Sequence, residues 1–93
     1  MAKKPETVLV DKIMKALKER GGYWFKSHGS PSMRGKPDII GCYCGRFYAF
    51  EVKTGFTDYD ATELQQKNIR DIKKAGGCAL VIYSTEEAIN NLK

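Results

Sequence analysis

Ninety-three residues with 42% apolar content suffice for one small core and leave no room for a second fold, so a single domain spanning 1–93 is expected. A net charge of +5 and a pI near 9.2 favour an anionic partner, although many basic proteins are merely soluble. No apolar run is long enough to span a membrane and the start lacks signal character, so a cytoplasmic location without membrane association is the expectation.

The first predicted element is a helix from about Pro5 to Arg20, with proline near its start and Gly21-Gly22 after its end. Leu9, Val10, Ile13, Met14 and Leu17 form its apolar stripe, and Glu6 sits one turn ahead on that same face. Spacing alone leaves Glu6 open between a functional carboxylate and one that complements the helix dipole. Tyr23-Trp24-Phe25-Lys26 reads as a strand. A polar loop follows from Ser27 to Lys36, whose His28, Arg34 and Lys36 are candidate phosphate contacts beside the next element; catalysis by the lone histidine is the weaker reading.

Asp38-Ile39-Ile40 opens a second strand, and Phe47-Tyr48-Ala49-Phe50-Glu51-Val52-Lys53 returns beside it through Cys44-Gly45. Alternation puts Glu51 and Lys53 on one face, and a hairpin of this length brings Asp38 back to the level of Glu51. Carboxylates from adjacent strands, with the Val52 carbonyl and waters, suit Mg²⁺ or Mn²⁺. Such an ion polarises a phosphate and acidifies water, while Lys53 would orient that water or offset developing charge. Pro-Asp also opens ordinary turns, and Glu-x-Lys also makes solvated charge pairs. Their combination with the glycine-containing approach loop and Glu6 makes phosphodiester hydrolysis the leading hypothesis.

Thr54 to Thr62 is a second connection, in which Asp58 and Asp60 could add to a metal cluster but are explained without further assumption by turn and capping roles. A helix from about Ala61 to Ala75 ends at Gly76-Gly77, with Leu64, Ile69, Ile72 and Ala75 able to face the core and Lys67, Arg70, Lys73 and Lys74 forming a basic surface. Lys67 and Arg70 are candidate contacts to a nucleic-acid backbone. Gln65 shares a face with Ile69 and Ile72; Gln66 stays open as its alternative. Cys78 to Tyr83 is a continuous apolar run, expected as a strand covered on both faces, and Ser84-Thr85-Glu86-Glu87 caps a last helix that turns Ala88, Ile89 and Leu92 inward. Cys42, Cys44 and Cys78 lack zinc spacing and are expected to be buried or partly buried thiols.

Gly35-Lys36-Pro37-Asp38 followed by Glu51-Val52-Lys53 resembles the PD-(D/E)XK nuclease signature, and the surrounding chain is similar to its VRR-NUC (virus-type replication-repair nuclease) branch over nearly its whole length. The resemblance implies an α/β fold with a restriction-endonuclease-like αβββαβα core, in which helices flank a mixed central sheet. It implies a Mg²⁺- or Mn²⁺-dependent endonuclease on branched DNA, in a bacterium or as a viral protein in a host cell. Stand-alone chains of this size resemble homodimeric Holliday-junction resolvases. Asp38, Glu51 and the Val52 carbonyl would bind metal, Lys53 would serve the transition state, Gln65 would reach toward the lysine and phosphate, and Glu6 would act through a metal-bound water.

A chain this small spans one phosphate path, so paired cuts on a four-way junction call for a second site, most simply by twofold homodimerisation. Tyr43, Phe47, Phe56 and Tyr59 are candidate dimer surface or core. A flap or other branched-DNA nuclease is the alternative within the enzyme class, and a non-catalytic nucleic-acid-binding module is the alternative outside it.

Overall fold

The computed structural model describes residues 4–27, 34–55 and 61–92. Its elements are α1 (Pro5–Arg20), β1 (Tyr23–Lys26), β2 (Ile39–Tyr43), β3 (Arg46–Val52), α2 (Glu63–Lys74), β4 (Cys78–Ile82) and α3 (Thr85–Asn90). The sheet order is β1-β2-β3-β4; β1–β2 and β2–β3 are antiparallel and β3–β4 is parallel. The αβββαβα order and the mixed sheet expected from the sequence are therefore present. The parallel step needs a crossover, and α2 supplies it.

Local chemistry sets the boundaries. Gly21, with φ 103°, closes α1 and donates its N–H to the Lys18 carbonyl. Tyr43 pairs with Arg46, so Cys44 and Gly45 alone make the β2–β3 turn, with φ of 51° and 80°. Positive φ at both central residues is the turn geometry that matches strand twist. Thr62 caps α2 by accepting the Gln65 N–H at 3.1 Å while the Gln65 side chain accepts the Thr62 N–H at 2.9 Å. Ser84 accepts the Glu87 N–H at 3.2 Å, and Glu87 reaches back to the Tyr83 N–H at 2.7 Å, which starts α3.

The register sorts the sheet into two faces. Trp24, Ile39, Tyr48, Phe50, Val52 and Ile82 lie buried with Val10, Ile13, Met14 and Leu17 of α1 and Ala88 of α3. Trp24 stacks on Phe50 with centroids 6.2 Å apart, and Gly41 has no side chain because a Cβ there would enter the Trp24 ring. On the opposite face Ala49 and Ala79 pack under Ile69, with Ile40, Ile72 and Val81 partly buried beside them.

Some expectations need correction. Leu64 and Ala75 are exposed rather than core; Leu64 lies instead against Gly35, whose φ of 78° and lack of a Cβ permit that approach. Cys42 and Cys44 are exposed, because one points away from the main core and the other sits in the turn; Cys78 is half-buried. β4 ends at Ile82, and as the last strand of the sheet it leaves Leu80 and Val81 half-buried. Tyr43 packs against the core, Phe47 is exposed, and Phe56 and Tyr59 lie outside the described residues. Among the described residues no helix is long and apolar enough to cross a membrane.

Candidate active site

Asp38, Glu51 and Lys53 converge at one end of the sheet. The β2–β3 register pairs Ile39 with Phe50, so the next level brings Asp38 opposite Glu51, as the hairpin length requires. All are buried although charged residues rarely are: Asp38 is 9% exposed, Glu51 2% and Lys53 4%. Asp38 is held by its neighbours on both sides. Its Oδ2 accepts the Val52 N–H at 2.8 Å, and its carbonyl accepts the Ser27 N–H at 2.9 Å. Ser27 Oγ also donates to the Pro37 carbonyl, which ties the end of β1 to the residue before Asp38.

Glu51 stands between its positive and negative neighbours. Lys53 Nζ is 3.6 Å from Glu51 Oε2, and Gln65 Nε2 donates to the same oxygen at 3.1 Å. The other oxygen, Oε1, is buried and receives no donor. Burial pushes the Glu51 carboxyl up to about 8, helped by the Asp38 charge and by a proton the two carboxyls can share; Lys53 opposes the rise and Glu6 adds to it. Near neutral pH this glutamate therefore keeps a proton unless a cation replaces it. Two buried carboxylates with one unused oxygen, on Asp38 and Glu51, are a donor set that fits a hard divalent ion. Among the described residues no group of three or more His, Cys, Asp and Glu side chains is arranged to hold a metal, and the Glu6 charge reaches Glu51.

Gln65, not Gln66, turns to the acidic pair; Gln66 donates to the Ala61 carbonyl at 2.8 Å. The same Gln65 side chain completes the α2 capping box, so the start of the helix and the site share one residue. Arg34 and Lys36 are exposed on the approach to Asp38, and Lys67 and Arg70 are exposed on α2. Lys67 pairs with Asp71 at 2.9 Å, which holds the Asp71 carboxyl below its usual range. His28 lies outside the described residues.

Sequence reasoning passed over Ser27 and Asn68. Asn68 Nδ2 donates to the Gly35 carbonyl at 3.0 Å and its Oδ1 accepts from Lys36 Nζ at 3.2 Å, fastening the loop before Asp38 to the helix that carries Gln65. Neither belongs to a periodic pattern. The i+3 relation of Asn68 to Gln65 was the one signal available, and it does not tell a positioning residue from a solvated one.

No protein-family model and no curated protein matches the sequence. Among solved structures, a VRR_NUC domain protein is 22% identical and superimposes with a TM-score of 0.69, covering 97% of this chain and 86% of that one. At that identity the likeness speaks for architecture: this chain has the fold of a VRR_NUC domain protein.

Proposed function

We propose that the protein is a metal-dependent DNA endonuclease that hydrolyses phosphodiester bonds with Asp38, Glu51 and Lys53. The observation that carries this reading is the buried carboxylate pair, in which Glu51 Oε1 has no donor and Lys53 lies 3.6 Å from Oε2. Burying two acids and a lysine is costly, and a structural role alone would be served better by apolar residues. A cation-assisted site is the arrangement that uses all of them.

Asp38, Glu51 and the Val52 carbonyl would hold Mg²⁺ or Mn²⁺, which when bound supplies Lewis acidity toward phosphate oxygen and water. Asp38 is kept in place by the Val52 and Ser27 amides, and Glu51 by Gln65, so the ligands are set before substrate arrives. Lys53 presents its ammonium beside Glu51, where it stabilises charge on the phosphoryl oxygens or orients the attacking water. Glu6 adds negative potential at Glu51 and would act through a metal-bound water. Arg34, Lys36, Lys67 and Arg70, with His28, would hold the flanking phosphates; the fold family and the net charge of +5 favour DNA as the anion.

Branched DNA is the proposed substrate, with a four-way junction cut by a homodimer as the form that calls for paired sites. Labelled junction, flap and linear duplex incubated with Mg²⁺, Mn²⁺ or EDTA, wild type beside Asp38→Asn, test the reading. Metal-dependent cleavage lost in the variant is expected. Binding without cleavage in every metal would leave a nucleic-acid-binding module in place of an enzyme.

A further inference from the structure

The described residues cover only half of the sheet face that carries the acidic pair. Register places Tyr23 and Phe25 of β1 with Ser27 just after it, Ile40 and Cys42 of β2, and Phe47, Ala49 and Glu51 of β3 on one side, with Asp38 at the same end as Ser27 and Glu51. Over β3 and β4 this side is closed by Ile69 and Ile72 of α2. Over β1, and at the start of β3, the aromatic rings stay in solvent: Tyr23 is 70% exposed, Phe25 42% and Phe47 43%. Cys42 between them is exposed as well. Tyr23 and Phe25 stand side by side, centroids 6.1 Å apart.

We propose that Tyr23 and Phe25, with Phe47 at the far edge, form a stacking platform for unpaired bases of DNA whose backbone is cut at the Asp38–Glu51 site. This rests on the nuclease reading and gives its substrate a feature: a single-stranded stretch next to the scissile bond. Three observations select that occupant. The platform is continuous with the acidic pair, because Phe25 lies across from Ile40, about 7 Å along the strands from the level of Asp38, and Tyr23 about 7 Å further. A strand entering the site along β1 would lay successive bases over these rings, which is how aromatic residues on a sheet hold single strands.

Charge agrees with it. None of Tyr23, Phe25, Ile40, Cys42 and Phe47 is acidic, and exposed Arg34 and Lys36 stand at the site end to take phosphates. Area argues against a second copy of the chain as the main occupant. Two strands about 10 Å across and about 17 Å long give a footprint on the order of 200 Å², far below the roughly 800 Å² per partner of a stable interface but ample for stacked bases.

The test measures binding of fluorescein-labelled oligothymidylate and of a blunt duplex in EDTA, where cleavage does not enter. The proteins are wild type, Tyr23→Val, Phe25→Val, the double variant and Tyr23→Trp; valine keeps strand propensity and tryptophan keeps a ring. Each lost ring should weaken single-strand binding by about tenfold and leave duplex binding nearly unchanged, while Tyr23→Trp binds like wild type. Photocrosslinking of wild type to a 5-iodouracil-bearing strand should label Tyr23 or Phe25, a readout that needs no variant to fold.

Equal loss for both DNAs, unchanged single-strand affinity, or crosslinks only elsewhere would overturn the platform. Sedimentation showing a wild-type dimer that Tyr23→Val converts to monomer would overturn it too and give the face to a second copy. The nuclease reading fails separately: ring-dependent binding without cleavage in any metal removes the enzyme and keeps the platform. Cleavage of splayed DNA by wild type and double variant alike removes the platform and keeps the enzyme.

Discussion

Asp38 Oδ2 takes the N–H of Val52 at 2.8 Å, so a side chain at the mouth of β2 is latched to the backbone of β3 one residue past Glu51. The bond gives a buried carboxylate a fixed direction and a buried amide an acceptor. Asp38→Ala should therefore cost about 1–3 kcal/mol of stability by orphaning the Val52 N–H. Asp38→Asn, which retains an acceptor, should unfold close to wild type. Both should cut DNA on the order of a thousandfold more slowly, the size expected when a principal electrostatic group is lost. Urea titration beside single-turnover cleavage separates the two effects.

Glu51 gives the pH signature. Its folded-state pKa of about 8 lies above the ordinary 4.5, so between those values the folded protein holds a proton that the unfolded chain has released. Its stabilising protonation is fully present below about pH 4.5 and is lost as pH rises through 8. In EDTA, stability should fall by several kcal/mol from this group across that window. Glu51→Gln should flatten the fall and be the more stable protein at pH 8, while being inactive. A variant with the wild-type slope would move the titration to another group.

Divalent cation should reverse that trend. An ion that binds the folded chain alone raises its melting temperature, and here it must displace the Glu51 proton. Below pH 8, Mg²⁺ or Mn²⁺ should raise the Tm of wild type and release close to one proton per site in calorimetry across buffers of different ionisation enthalpy. Asp38→Asn should show neither.

Gln65 serves α2 and the site at once, and the parts can be separated. Thr62→Ala removes the cap and should cost about 1 kcal/mol with little change in cleavage. Gln65→Ala should cost a similar amount and also slow cleavage by about ten- to a hundredfold, the range for a residue that orients a ligand. Equal kcat for both variants would reduce Gln65 to a capping residue.

Gly35→Ala should distort the approach to Asp38. The residue sits at φ 78° with the Leu64 side chain where a Cβ would go, so alanine pushes the loop off α2. A loss of about 1–2 kcal/mol is expected, with Leu64→Ala in the same chain relieving part of it. Chemical denaturation of the single and double variants checks the coupling.

Much of this was legible in the sequence because two periods dominate it. The 3.6-residue stripe from Leu9 to Leu17 fixes α1, and Cys44-Gly45 between alternating runs fixes the hairpin and with it the meeting of Asp38 and Glu51. The Glu51 and Lys53 pair follows from the period of two. What periodicity cannot report is which face of the sheet is left open. Helical spacing put Leu64 and Ala75 with Ile69, yet α2 covers only β3 and β4, so both ends of its stripe reach solvent. Cys42 was misread for the same reason. Ser27 and Asn68 act through hydrogen bonds with Pro37, Asp38, Gly35 and Lys36, and such bonds leave no pattern along the chain.

The tight turn at Cys44-Gly45 also bears on the order in which the molecule assembles. It makes β2–β3 a local hairpin, so low contact order predicts that Asp38 and Glu51 meet early, before the crossover helix brings Gln65 and before β4 docks along β3. Their mutual repulsion then opposes the first pairing instead of the last. At pH 9, above the folded-state Glu51 value of about 8, Glu51→Gln should accordingly refold faster than wild type, and stopped-flow traces of Trp24 fluorescence would record it.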